Sequence, residues 1–210
     1  MKKETPILFS SEMVRAILDG KKTMTRRVIG NKTALEWLKP GMFTPDFVAD
    51  PENSFSKYGY ADDLLWVKET HFAYGQWVKN GFSKSNKQKF KFKDFPAVPV
   101  RFMDNPPDKI CRLKSETGYF KRPAIFMFKK HARIWLKVKN VRVERLQAIT
   151  DKDAIKEGVD GTNTSIPGYA TDRFKKLWGA INGKPRKDGV DISWMANPLV
   201  WCVEFKKVER

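Results

Sequence analysis

Cysteine is nearly absent. Cys111 and Cys202 are the only two, and no C-x-x-C spacing occurs, so neither a disulfide framework nor a thiolate metal cluster organises this chain. Both are expected to be buried, reduced thiols. Histidine is equally scarce: only His71 and His131 occur, with no cysteine or carboxylate cluster beside either. No metal site is expected from them, no cofactor is expected, and a histidine-based nucleophilic triad has no motif behind it. No apolar run approaches the roughly 20 residues of a membrane-spanning helix, and no amphipathic helix shows one basic face, so no membrane partner is expected. The opening Met-Lys-Lys-Glu-Thr-Pro lacks a hydrophobic core segment, which points away from a secretory signal and toward a cytoplasmic location. There is no internal repeat.

Acidic residues are also short. Against 24 Asp and Glu stand 41 Lys and Arg, a formal net charge of +17. An excess this large produces a long-range field, and its expected partner is a polyanion, with nucleic acid favoured over lipid. The competing reading is that the lysines only keep the chain in solution. At 210 residues with 41% hydrophobic and 13% aromatic content, the chain can bury a core without metals or disulfides. One domain, folding alone as a monomer, is expected.

Pro6 to Phe9 reads as a first strand. Ser10 then caps a helix through Asp19, with Met13, Ile17 and Leu18 as the apolar stripe and Gly20 as its stop. Thr23 to Ile29 is β-branched and basic, a half-buried strand. Residues 30–60 form a polar, Pro- and Gly-rich insertion around one short helix, Ala34 to Leu38. Leu64 to Val67 is a central strand. Between 75 and 95, Lys79, Lys84, Lys87, Lys89, Lys91 and Lys93 interleave with Trp77, Phe82, Phe90, Phe92 and Phe95. That pattern suits a nucleic-acid surface of ammoniums and stacking rings, or a hairpin with phenylalanines inward, which the strict period two of residues 89–93 favours. Lys129 to Leu146 alternates with a slip near Asn140, predicting a bulge or turn. Thr150 caps a helix from Asp151 to Glu157 closed by Gly158, a second helix runs from Thr171 to Trp178 within an insertion at about 160–195, and Pro198 to Phe205 is the last strand. Many strands, few helices and no β-α-β alternation predict an α+β fold built on a partly open mixed barrel.

The stretch Gly20-Lys21-Lys22-Thr23-Met24-Thr25-Arg26-Arg27 packs four cations and two hydroxyls just after a helix end, the groups that phosphates require. A solvated basic turn has the same composition. Here the sequence resembles the ASCH domain, a relative of the PUA RNA-binding fold whose pattern is G-x-K-x-x-E-x-R. Gly20, Lys22 and Arg27 match, and Thr25 stands where the pattern has Glu. The acetylcytidine amidohydrolases, small ASCH proteins, carry the same Thr. Further likeness appears in Asp63-Leu64-Leu65-Trp66-Val67-Lys68-Glu69, in Arg122-Pro123, in Val141 to Leu146, and in Asn197-Pro198 leading to Val203-Glu204-Phe205. It covers about half of the chain and leaves the insertions unmatched.

The resemblance implies a PUA-like barrel and three functional residues: Lys22, Thr25 and, in the segment from Leu146 onward, Glu157. For amide hydrolysis they divide into candidate base, nucleophile or orienting hydroxyl, and proton shuttle. Like charges at Lys21, Arg26 and Arg27 favour the neutral amine a base requires. Positions 22 and 25 point to opposite faces of a regular strand, so either Lys22 lies in the turn after Gly20 or a bulge separates the two. Lys21, Arg26, Arg27, Lys68, Arg122, Lys129 and Lys130 are the residues expected to meet RNA. The alternatives are a binding module without catalysis and a ribonuclease for single-stranded RNA, an activity also associated with ASCH proteins. A Glu near a helix end is also commonly a solvated surface residue.

Overall fold

A computed structural model describes residues 2–163, 165–184, 186 and 188–209. The architecture is α+β. Among the described residues nine strands lie in two sheets: β1 (Glu4–Leu8), β2 (Met24–Val28), β3 (Leu64–Lys68), β4 (His71–Phe82), β5 (Gln88–Asp94), β6 (Arg101–Phe102), β7 (Thr117–Arg122), β8 (Trp135–Arg145) and β9 (Leu199–Val208). The α-helices are α1 (Ser11–Leu18), α2 (Lys32–Trp37), α3 (Pro45–Ala49), α4 (Asp151–Lys156) and α5 (Tyr169–Asn182). Among the described residues no helix is long and apolar enough to cross a membrane.

The chain divides into two compact units. The first comprises the residues up to Ile7, Met13–Trp66 and those from Ile134 onward; the second comprises Leu8–Glu12 and Val67–Arg133. In the first unit five strands run in the order β1-β3-β8-β9-β2, and the pairs β3/β8, β8/β9 and β9/β2 are antiparallel. This sheet is an open path with β1 and β2 at its ends; no closed barrel forms among the described residues. The irregularity predicted near Asn140 is present as a register shift between Val138 and Asn140. It accommodates one extra residue in the ladder between β8 and β9.

Helices α4 and α5 cover part of this sheet. Leu146, Ile149, Ala154, Ala170, Phe174, Trp178, Val200 and Cys202 form one buried cluster with them, and burial of each large apolar side chain contributes about 1.5–3 kcal/mol. Helix α5 is longer than the predicted segment at both ends. Its N-cap position is Gly168, which has no side chain to offer. Asp151, in the first turn of α4, takes over that role by accepting hydrogen bonds from the Gly168 and Thr171 amides at 2.7 and 2.9 Å. Both cysteines are free and buried, as expected.

Residues 30–60 hold more structure than predicted. Asn31 and Thr44 cap α2 and α3, and Trp37 packs on Phe43, Phe47 and Phe55 with ring centroids 4.7, 5.8 and 4.9 Å apart. The aromatic contacts, and not a regular polar pattern, hold this segment.

In the second unit β4 pairs with β5, β6 and β7, all antiparallel. Segment 75–95 is a hairpin, with Lys89, Lys91 and Lys93 exposed and Phe90 and Phe92 half-buried on the opposite face. Trp77 and Phe92 face each other across the strands at 5.3 Å, and Phe120 of β7 joins them at 5.6 Å from Phe92. The period-two alternation therefore reports sheet packing in this segment.

Candidate functional site

Two helix ends create the site. Helix α1 stops at Gly20, whose φ of +72° only glycine adopts without strain. Its amide donates to Ile17 O (3.1 Å) and the Lys21 amide to Ala16 O (2.9 Å), the paired bonds of a Schellman turn. The turn redirects the chain inward, and Lys22 follows it with its own amide on Ala16 O. Helix α4 also ends at a left-handed glycine, Gly158, with φ +87° and its amide on Ile155 O at 2.9 Å. The two turns interlock: Thr23 N–H donates to Lys156 O at 2.8 Å, and a Cβ on Gly158 would stand 3.0 Å from Lys22 Cβ and 3.1 Å from Ala16 Cβ. Only glycine permits this approach.

Lys22 thus lies in the turn before β2, which removes the objection raised by its odd spacing from Thr25. Its Nζ donates to Glu157 Oε2 and to the Glu157 carbonyl, both at 2.7 Å. Both side chains are buried, at 0% and 4% exposure. The ammonium therefore caps the C-terminal end of α4 as well as pairing with a carboxylate. Burial lowers the Lys22 pKa; Glu157 opposes that shift, and Arg27 and Arg26 add to it. Desolvation, more than the crowding of like charges anticipated above, is the main cause. Lys21 contributes nothing of the kind, being exposed beside Asp19.

Glu157 is buried, not solvated. Its second oxygen, Oε1, accepts no hydrogen bond from a described residue; the nearest cation is Arg26 Nη1 at 3.6 Å. Arg26 also has 0% exposure, and its Nη2 donates to Glu144 Oε2 at 3.0 Å and Asp153 Oδ2 at 2.9 Å. Arg142 bonds the same two carboxylates and Glu204. This network bolts α4 to β2, β8 and β9 and so fixes Glu157. It also leaves Arg26 without a face to offer a polymer's phosphates; its place is in the floor of the site.

A cavity of about 80 Å³ opens here, lined by Thr25, Arg26, Arg27 and Val28 together with Glu157 and the α5 side chains. Four consecutive strand residues cannot send their side chains to one face. The cavity therefore follows the free edge of β2, the end strand of its sheet. Thr25 and Glu157 both line the cavity, and Lys22 is bonded to Glu157. The opposite wall is Phe174, Leu177, Trp178 and Ile181 of α5. Sequence reasoning missed this wall, although the i, i+3, i+4, i+7 spacing of those four residues is an amphipathic helix signal within the unmatched insertion.

The remaining predicted cations belong to the second unit. Lys68 Nζ donates to Ile125 O at 2.6 Å, Arg122 lies among aromatic rings, Lys129 is exposed, and Lys130 Nζ stands 3.5 Å from Asp94. Among the described residues no three His, Cys, Asp or Glu side chains gather as metal ligands. No protein-family model matches the chain, and neither curated proteins nor solved structures yield a match.

Proposed function

We propose that the cavity beside Glu157 receives the N-acyl head of an acylated cytidine, free or within RNA, and that the chain hydrolyses that amide on a PUA-like ASCH scaffold. The observation that carries this reading is the division of labour on one buried carboxylate. Glu157 Oε2 is held by Lys22, while Oε1 is buried with no hydrogen-bond donor among the described residues, and Glu157 lines a cavity together with Thr25. At about 80 Å³ the cavity has room for an acyl amide, since a water occupies about 30 Å³. The sugar stays outside.

The chemistry balances with these residues. The Thr25 hydroxyl, or a water it orients, attacks the acyl carbon and gives its proton to the Lys22–Glu157 pair. The C–N bond then breaks, Glu157 returns the proton to the departing amino nitrogen, and cytidine leaves. Where Thr25 is the nucleophile, water releases the carboxylic acid in a second, equivalent step.

The test is turnover of acetylcytidine, followed by chromatography. The intact protein is expected to release cytidine, and Lys22→Ala to do so about a hundredfold more slowly or worse. Ile181→Trp, at a residue 56% exposed, should block the cavity without unfolding the chain. No turnover by the intact protein, or equal turnover by Lys22→Ala, overturns the reading. Salt-sensitive RNA binding without turnover would identify a binding module instead.

A further inference from the structure

The only two histidines of the chain, His71 and His131, line one small cavity of about 90 Å³ in the second unit. Arg122 lines it too, with Asp94 and the rings of Phe126 and Phe128. Register explains part of the grouping: His71 of β4 stands directly opposite Arg122 of β7, so both project from one face of the sheet. The 3-10 turns at Ala124–Phe126 and Lys129–His131 bring the remaining groups over that face.

Arg122 has an unusual environment. Its guanidinium carbon lies 4.8, 4.5 and 4.8 Å from the ring centroids of Trp77, Phe92 and Phe126. These contacts fix its plane. Its guanidinium makes no hydrogen bond or ion pair to a described residue, and burial lowers its pKa with nothing opposing the shift. Arg133, by contrast, is bonded to Glu69 and Asp104. A clamped, half-buried guanidinium without a carboxylate is an incomplete site for an anion.

The other groups add direction. His71 is buried, and its Nδ1 lies 3.2 Å from Glu69 O; a carbonyl only accepts, so the ring proton is on Nδ1 and Nε2 is left as an acceptor. Burial also lowers the His71 pKa, which keeps the ring neutral. The Asp94 carboxylate is offset by Lys130. Phe126 and Phe128 are 53% and 59% exposed, two rings at the rim, the first with Arg122 over it and the second with Lys130 at 5.9 Å from its centroid.

We propose that this cavity is a second nucleotide site, distinct from the Glu157 cavity, which takes one nucleotide of a single-stranded nucleic acid. The phosphate is bound by Arg122, the base stacks on Phe128, and His71 Nε2 accepts from a base N–H or sugar hydroxyl. A net charge of +17 and aromatic rims favour this occupant over an acidic protein.

The experiment measures the anisotropy of a short fluorescein-labelled oligouridylate with the 210-residue chain, with UMP, uridine and a phosphotyrosine peptide as competitors. Phe128→Ala, a change at an exposed ring, should weaken binding about fivefold to a hundredfold. Arg122→Gln should weaken it about tenfold or more, and Arg122→Lys should recover only part of the loss. UMP should compete well and uridine poorly. If Arg122→Gln does not fold by circular dichroism, Phe128→Ala decides alone. Binding unchanged in Phe128→Ala, or stronger competition by the phosphotyrosine peptide than by UMP, overturns the proposal. Acetylcytidine turnover should be unaltered in Phe128→Ala; loss of both together would show that no separate site exists.

Discussion

Replacing Glu157 with Gln tests the Lys22–Glu157 pair directly. The variant keeps shape and the backbone bond to Lys22 but removes the negative charge. Lys22 would then be a buried ammonium with Arg26 and Arg27 as its charged neighbours. Breaking one side of a buried pair costs about 3–5 kcal/mol. An independent bound follows from titration, because the lysine can discharge instead. With a free lysine pKa of about 10.4, losing its proton at pH 7 costs about 1.36 kcal/mol per unit over about 3.4 units, or about 4.6 kcal/mol. The two figures agree, so a loss of about 3–5 kcal/mol is expected near neutrality.

The pH dependence has a definite sign. In the variant the folded-state pKa of Lys22 falls further below its unfolded value than in the parent. The unfolded chain then holds one more proton, and stability rises with pH. The penalty is complete at neutral pH and disappears as pH approaches the unfolded pKa of about 10.4. Urea melts at about pH 7, 8 and 9 should show the gap between parent and variant narrowing by about 1.4 kcal/mol per unit. A gap under about 1 kcal/mol, or one that stays flat with pH, would refute the buried, charge-paired lysine.

Two further perturbations probe the supports. Gly158→Ala forces a Cβ into left-handed backbone 3.0 Å from Lys22 Cβ, so a loss of about 2 kcal/mol or more is expected; an unchanged melting temperature would contradict the interlocked turns. In the second unit, Arg133 Nε and Nη2 bond both oxygens of the buried Glu69 at 2.9 Å. Arg133→Met should cost about 3 kcal/mol, and adding Glu69→Gln should recover part of it, as read in a double-mutant cycle.

Local signals were legible wherever one residue type answers to one backbone requirement. Gly20 and Gly158 marked helix ends, Thr150 marked a helix start, and the slip near Asn140 marked a bulge, because each is set by neighbours within a few positions. The alternation at residues 89–93 likewise identified hairpin packing. Strands β6 and β7 were not read, since two residues in one case and a glycine-interrupted run in the other carry little periodicity.

Taken alone, the amino-acid sequence determined the α+β class, the cationic balance and the identities of Lys22, Thr25 and Glu157 as a set to watch. Only tertiary structure decided that Lys22 and Glu157 are bonded, that Arg26 is a strut with no face left for phosphate, and that α5 walls the cavity. It also decided that two histidines and an arginine share another. The physical reason is range. Caps, turns and alternation are energies between near neighbours, whereas a pair such as Lys22 and Glu157 exists only because two helix ends are packed together by a buried ion network and a core assembled from distant segments.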